Sequence, residues 1–132
     1  MAAYYATEDV TRLLLDQGAH IEDCNEHSWT SLHLAAQEGH LDIVTLLLVR
    51  NASISARTDK QYTPLLVAAN HGREDAVRLL LDKRACVEDC DEESWTSLHI
   101  ASYGGHLGIA SLLLEHGASV DARNEQQATP LL

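Results

Sequence analysis

Shifted against itself by 33 residues, the sequence sets Trp29-Thr30-Ser31-Leu32-His33 over Tyr62-Thr63-Pro64-Leu65-Leu66, Trp95-Thr96-Ser97-Leu98-His99 and Ala128-Thr129-Pro130-Leu131-Leu132. A leucine triplet recurs in the same register, at Leu13 to Leu15, Leu46 to Leu48, Leu79 to Leu81 and Leu112 to Leu114. The period never slips. A fixed repeat of this length implies a stack in which each unit is one supersecondary element that buries its apolar face only against its neighbours.

Each unit reads as a helix pair. Thr30 is a helix N-cap, and the next position suits proline because its N–H has no helical partner; Pro64 and Pro130 stand there, while Ser31 and Ser97 replace it in alternate units. The short helix runs through Leu34-Ala35-Ala36 and stops at Gly39. A second helix starts near Leu41 and carries Ile43, Val44, Leu46 and Leu47 at helical spacing, and the small alanines let the two helices approach closely. Beyond the leucines come Gly18, Asn51, Arg84 and Gly117, where a left-handed C-cap is expected. Arg84 is the anomaly, costing on the order of 1 kcal/mol at positive φ. The stretch that follows, such as Ser53 to Gln61, reads as a hairpin-like loop into the next unit.

These residues carry a family resemblance. The T-P-L-H signature, then A-A-x-x-G-H as in Ala35 to His40, a leucine run, and G-A-x-V-x-A as in Gly117 to Ala122 resemble the ankyrin repeat across the whole chain. Departures are local: Ser31 and Ser97 for proline, Leu66 and Leu132 for histidine, Ser102 for the second alanine and Arg84 for glycine. The resemblance implies an all-α solenoid of helix-turn-helix units joined by hairpin-like loops, with about four repeats in register. The expected division is a partial repeat 1–24, repeats 25–57, 58–90 and 91–123, and a partial repeat 124–132, in one domain.

A longer period is superposed. Glu22-Asp23-Cys24 and Ser28 to His33 recur as Glu88-Asp89-Cys90 and Ser94 to His99, so the unit of duplication is 66 residues. Counted this way the chain begins and ends inside a first helix. Neither terminal unit carries the polar outer face of a solenoid cap, which leads us to expect an excerpt of a longer array with some tendency to stack end to end.

Nine Lys and Arg against twenty Asp and Glu give a net charge of −11, which argues against a phosphate backbone as partner and for a basic surface. Three cysteines without a CxxC suggest no disulfide framework and fit a reducing, intracellular and cytoplasmic setting. No apolar run reaches the roughly 18 residues of a membrane span. Cys24 with His27, and Cys86 with Cys90, lack a second pair at zinc-finger spacing, so neither a metal nor any other cofactor is expected. Cys90 lies among carboxylates that disfavour a thiolate, and no phosphate loop, dinucleotide or nucleophile-elbow motif occurs. No catalytic residue is expected, and the chain does not read as an enzyme.

By resemblance to ankyrin repeats, partner contacts fall on the loop residues before T-x-L-H and the two residues after the paired alanines. Here these are Tyr4 and Tyr5; Glu26, His27, Trp29, Gln37 and Glu38; Asp59, Lys60, Tyr62, Asn70 and His71; and Glu92, Glu93, Trp95, Tyr103 and Gly104. Every Trp and Tyr is among them. Trp and Tyr anchor interfaces, and the interleaved carboxylates, with Asp91 and Glu125 near the loop tips, attract Lys or Arg. The expected function is a protein-interaction scaffold that takes a protein or peptide, Lys/Arg-rich in character, on its concave face. The alternative is a structural spacer within a larger cytoskeletal, channel or signalling protein. The resemblance also makes Asp121, after Val120, a candidate for asparaginyl-type hydroxylation.

Overall fold

Threonine before each first helix sets the frame. Thr30, Thr63 and Thr96 are extended (φ −90°, −88° and −82°), and each side-chain oxygen accepts the backbone N–H three residues on. That fixes where each first helix begins. The computed structural model describes residues 8–132, and among these the helices are α1 (Glu8–Asp16), α2 (Ser31–Glu38), α3 (Leu41–Val49), α4 (Pro64–Asn70), α5 (Glu74–Asp82), α6 (Ser97–Gly104) and α7 (Leu107–Glu115). No strand occurs among the described residues; the loops contribute only the isolated bridges Cys24 to Thr30 and Cys90 to Thr96. None of these helices is long and apolar enough to cross a membrane.

Two layers result. The short helices α2, α4 and α6 pack on one another in sequence, and the longer α1, α3, α5 and α7 form the second layer behind them. Ala35, Ala36, Ala68, Ala69 and Ala101 are fully buried where the layers and units meet, their small side chains permitting the close approach. Leu47, Leu65, Leu80 and Leu113 fill the seam, each contributing roughly 2 kcal/mol by leaving water. The architecture is the all-α solenoid expected from the repeat.

The expected C-caps are present. Gly18, Asn51, Arg84 and Gly117 all adopt positive φ, at 94°, 68°, 70° and 88°. The amide of the residue following each one folds back onto the helix; Ala85 N–H, for example, donates to the Leu80 carbonyl at 2.9 Å. Arg84 therefore takes the strained conformation that its place in the repeat demands.

The 66-residue duplication also appears in the contacts between units. Glu22 accepts the Ser53 N–H at 2.7 Å, and Glu88 accepts the Ser119 N–H at the same distance. Arg57 donates to the Gln61 carbonyl at 3.0 Å, and Arg123 to that of Gln127 at 2.7 Å. The Glu–Ser pairs thus join neighbouring units, and the Arg–Gln pairs close the loops that follow, each at a spacing of 66 residues.

Candidate functional site

Positions 25, 58, 91 and 124 carry Asn, Thr, Asp and Asn, and their side chains build the loop tips. Asp91 Oδ1 accepts the N–H groups of Glu93 and Trp95 at 2.9 and 3.0 Å, and Asn25 does the same for His27 and Trp29 at 2.9 and 3.0 Å. Asn124 serves Gln126 and Ala128, and Thr58 the N–H of Tyr62. These are Asx-type turns, in which a short polar side chain takes the place of backbone partners. The last residue of each tip, Ser28, Gln61, Ser94 or Gln127, is left-handed with φ between 63° and 67°.

Successive tips are tied together. Asp59 N–H donates to the His27 carbonyl at 3.0 Å, Glu92 N–H to Lys60 at 3.2 Å and Glu125 N–H to Glu93 at 3.0 Å. The ladder holds the residue after each tip, Trp29, Tyr62 or Trp95, at the mouth of its first helix. Trp29 and Trp95 lean on His33 and His99 of their own units, with ring centroids 5.8 and 5.9 Å apart. One side of each indole is therefore already engaged.

Between the second and third of these tips lies an open groove of about 490 Å³, lined by Lys60, Tyr62, Asn70, Asp91, Glu92, Glu93, Trp95, Ile100, Tyr103 and Gly104. Tyr103 stands edge-to-face to Trp95, at 5.7 Å and 79°, with 85% of its surface exposed. Ile100 forms an apolar floor at 8% exposure. Burial pushes the Tyr62 phenol above its ordinary pKa of 10.0, and the negative charge of Asp91 with its side-chain hydrogen bond, then Glu93 and Glu92, push it further the same way. Tyr62 therefore stays neutral, while the groove keeps its negative character.

The structure brings Lys60, Tyr62, Asn70, Glu92, Glu93, Trp95, Tyr103 and Gly104 together, of the residues named from the sequence. Others lie elsewhere. His27 bridges tips, its Nδ1 3.2 Å from Asp59 Oδ2 and its Nε2 3.7 Å from Glu26 Oε1. His71 Nδ1 faces the Val67 carbonyl at 3.0 Å and so donates, leaving Nε2 to accept from Gln37 Nε2 at 3.3 Å. Glu38 lines a separate cleft with Gly39, Leu41 and Arg73, at the turns between paired helices. Tyr4 and Tyr5 lie outside the described residues.

A family model described as ankyrin repeats (3 copies) matches residues 1–58 and 48–124. The chain belongs to the ankyrin repeat family. A comparison with curated proteins finds no match. Ankyrin repeats are generally protein–protein interaction modules and typically not enzymes. Among the described residues, no group of three His, Cys, Asp or Glu is placed to hold a metal ion. Cys24 and Cys86 are exposed and Cys90 half-buried, all as free thiols.

Two features of the ankyrin groove escape a reading by motif. Ile100 looks like one more core position, yet it floors the groove. Asp91 looks like one more surface acid, yet it builds the tip and faces Tyr62. The second had a signal, since Asn25, Thr58, Asp91 and Asn124 recur at the repeat period and all can accept a turn hydrogen bond.

Proposed function

We propose that this ankyrin domain holds a Lys/Arg-rich segment of a partner protein on the face formed by its loop tips and short helices, centred on the groove between Tyr62 and Trp95. The observation that supports it is the meeting of three aromatic side chains, Tyr62, Trp95 and Tyr103, with three carboxylates, Asp91, Glu92 and Glu93, in one open groove. Aromatic faces and carboxylates attract the same cation, and a surface already ordered by tip-to-tip hydrogen bonds loses little entropy on docking. Glu26, His27, Trp29, Gln37, Asp59 and His71 extend the surface towards the preceding unit.

The test is fluorescence anisotropy with two labelled peptides, one with Arg and Lys between Gly and Ser, the other with Glu in place of the bases. The basic peptide should bind and weaken steeply as salt is raised. The double variant Glu92→Gln, Glu93→Gln should lower its affinity by roughly tenfold, since each rim charge contributes a modest part. Equal binding of both peptides, or of neither, would overturn the proposal, and the second outcome would favour a spacer without a ligand.

A further inference from the structure

The groove's residues are unequal, and their differences indicate which basic side chain fits. Asp91 is committed to the turn, its Oδ1 accepting two backbone N–H groups. The carboxylates free to meet a ligand are Glu92 and Glu93, both exposed at the tip. Lys60 shares the lining and opposes any cation that relies on long-range attraction alone. The groove therefore favours a cation held by shape.

Tyr103 supplies the shape. It is 85% exposed and stands edge-to-face to Trp95, so an open aromatic face shares the groove with the apolar side chain of Ile100. A planar guanidinium stacks on such a face while its in-plane N–H groups stay directed at carboxylate and amide oxygens, here those of Glu92 or Glu93 and Asn70. An ammonium is compact and strongly hydrated and gains little where water is not excluded. A methylated ammonium needs rings on several sides to replace its water, and this groove is open.

We infer that the groove selects arginine over lysine, the Arg guanidinium stacking on Tyr103 beside Trp95 with Glu92 and Glu93 as its anionic partners. The inference rests on the proposed binding of basic segments by the same groove. Its test uses single side chains as probes: N-acetyl-arginine amide, N-acetyl-lysine amide, N-acetyl-trimethyllysine amide and the neutral N-acetyl-citrulline amide. Each is titrated into the isotopically labelled chain, and the indole N–H signal of Trp95 is followed.

Arginine amide should shift Trp95 with an affinity about fivefold above lysine amide, the scale of one exposed cation–π stack. Citrulline amide should shift it far less. Tyr103→Ala should bring arginine down to lysine's level, and Tyr103→Phe, which keeps the ring, should preserve the preference. Equal affinity for arginine and lysine in the unsubstituted chain, or tighter binding of trimethyllysine, would overturn arginine selection while leaving binding of cations intact. A Trp95 signal unmoved by every cation, or moved equally by citrulline, would overturn both readings.

Discussion

His33 Nε2 lies 2.9 Å from the backbone carbonyl of Tyr62, so a buried side chain of one repeat holds the aromatic residue that opens the next. The carbonyl can only accept, which places the proton on Nε2 and leaves Nδ1 to accept the Thr30 N–H at 3.1 Å. His99 repeats the arrangement with the Ala128 carbonyl at 2.9 Å and Thr96 N–H at 3.2 Å. Each histidine caps its own helix and ties one unit to the next.

Replacing His33 should therefore act on stability and on the groove wall together. His33→Ala leaves a cavity and two unpaired backbone groups and should cost about 3 kcal/mol. His33→Leu keeps the volume, as Leu66 does at the equivalent fully buried position, and should cost less. Urea unfolding followed by circular dichroism measures both, and equal losses would refute the role of volume.

Acid should unfold the domain in part through the same ring. Burial, the largest cause, lowers the His33 pKa from its ordinary 6.5, against smaller upward pulls from the Tyr62 and Ala56 carbonyls and Glu22. The folded state thus prefers the neutral ring, and the unfolded chain takes up the proton first as pH falls. This contribution is fully present above 6.5 and declines below it until the folded ring itself protonates. The unfolding midpoint of His33→Leu, measured across this range, should fall less steeply with acid than that of the unsubstituted chain.

Ser97→Pro should stabilise. Ser97 is fully buried at the first position of α6, and its Oγ has no hydrogen-bond partner among the described residues. Thr96 before it, at φ −82° and ψ 168°, matches Thr63 before Pro64 at φ −88° and ψ 166°, so the backbone already accommodates proline. Loss of an unpaired buried hydroxyl and of unfolded-state freedom should together add about 1 kcal/mol or more. A lowered thermal midpoint would contradict this.

Arg84→Gly should raise stability by about 1 kcal/mol, because φ at this position is +70° and the side chain is exposed. Gly18 and Gly117 already occupy the equivalent places. Asn51→Gly should gain less, asparagine tolerating this region better, and the difference between the two denaturation midpoints is the measurement.

Asp91→Asn should separate the turn from the charge. Asn25 and Asn124 build the same Asx turn at equivalent positions, so the tip should hold its shape. Burial keeps the Tyr62 phenol above 10.0, but removing the Asp91 charge should bring its ionisation closer to that value in an alkaline spectrophotometric titration. Since the raised pKa makes the folded state prefer the neutral phenol, stability declines as pH rises above 10.0, and the variant should lose less there. An unchanged tyrosine titration would remove Asp91 from the account of Tyr62.

Much of the fold was legible because its determinants are local and repeated. Thr30, Thr63 and Thr96 are N-caps whatever surrounds them, and the leucine triplets mark the second helices in every unit. Even the positive φ of Arg84 follows from the glycines that share its register. The tip conformations were less legible: Ser28, Gln61, Ser94 and Gln127 are left-handed without glycine, held there by Asx bonds and by the amides of neighbouring tips.

The sequence by itself determined the helix pairs, their caps, the order of stacking and the acidic, aromatic character of the tips, because each depends on residues close in the chain. Only the tertiary structure decided which of those tips make a groove. It placed Glu92 and Glu93 in one groove with Tyr62 and Tyr103, made Ile100 its floor, set Asp91 near Tyr62 and left Glu38 in another cleft. These relations run between neighbouring units, where separation is set by the packing of α4 on α6 and by hydrogen bonds from tip to tip, and no local preference encodes them.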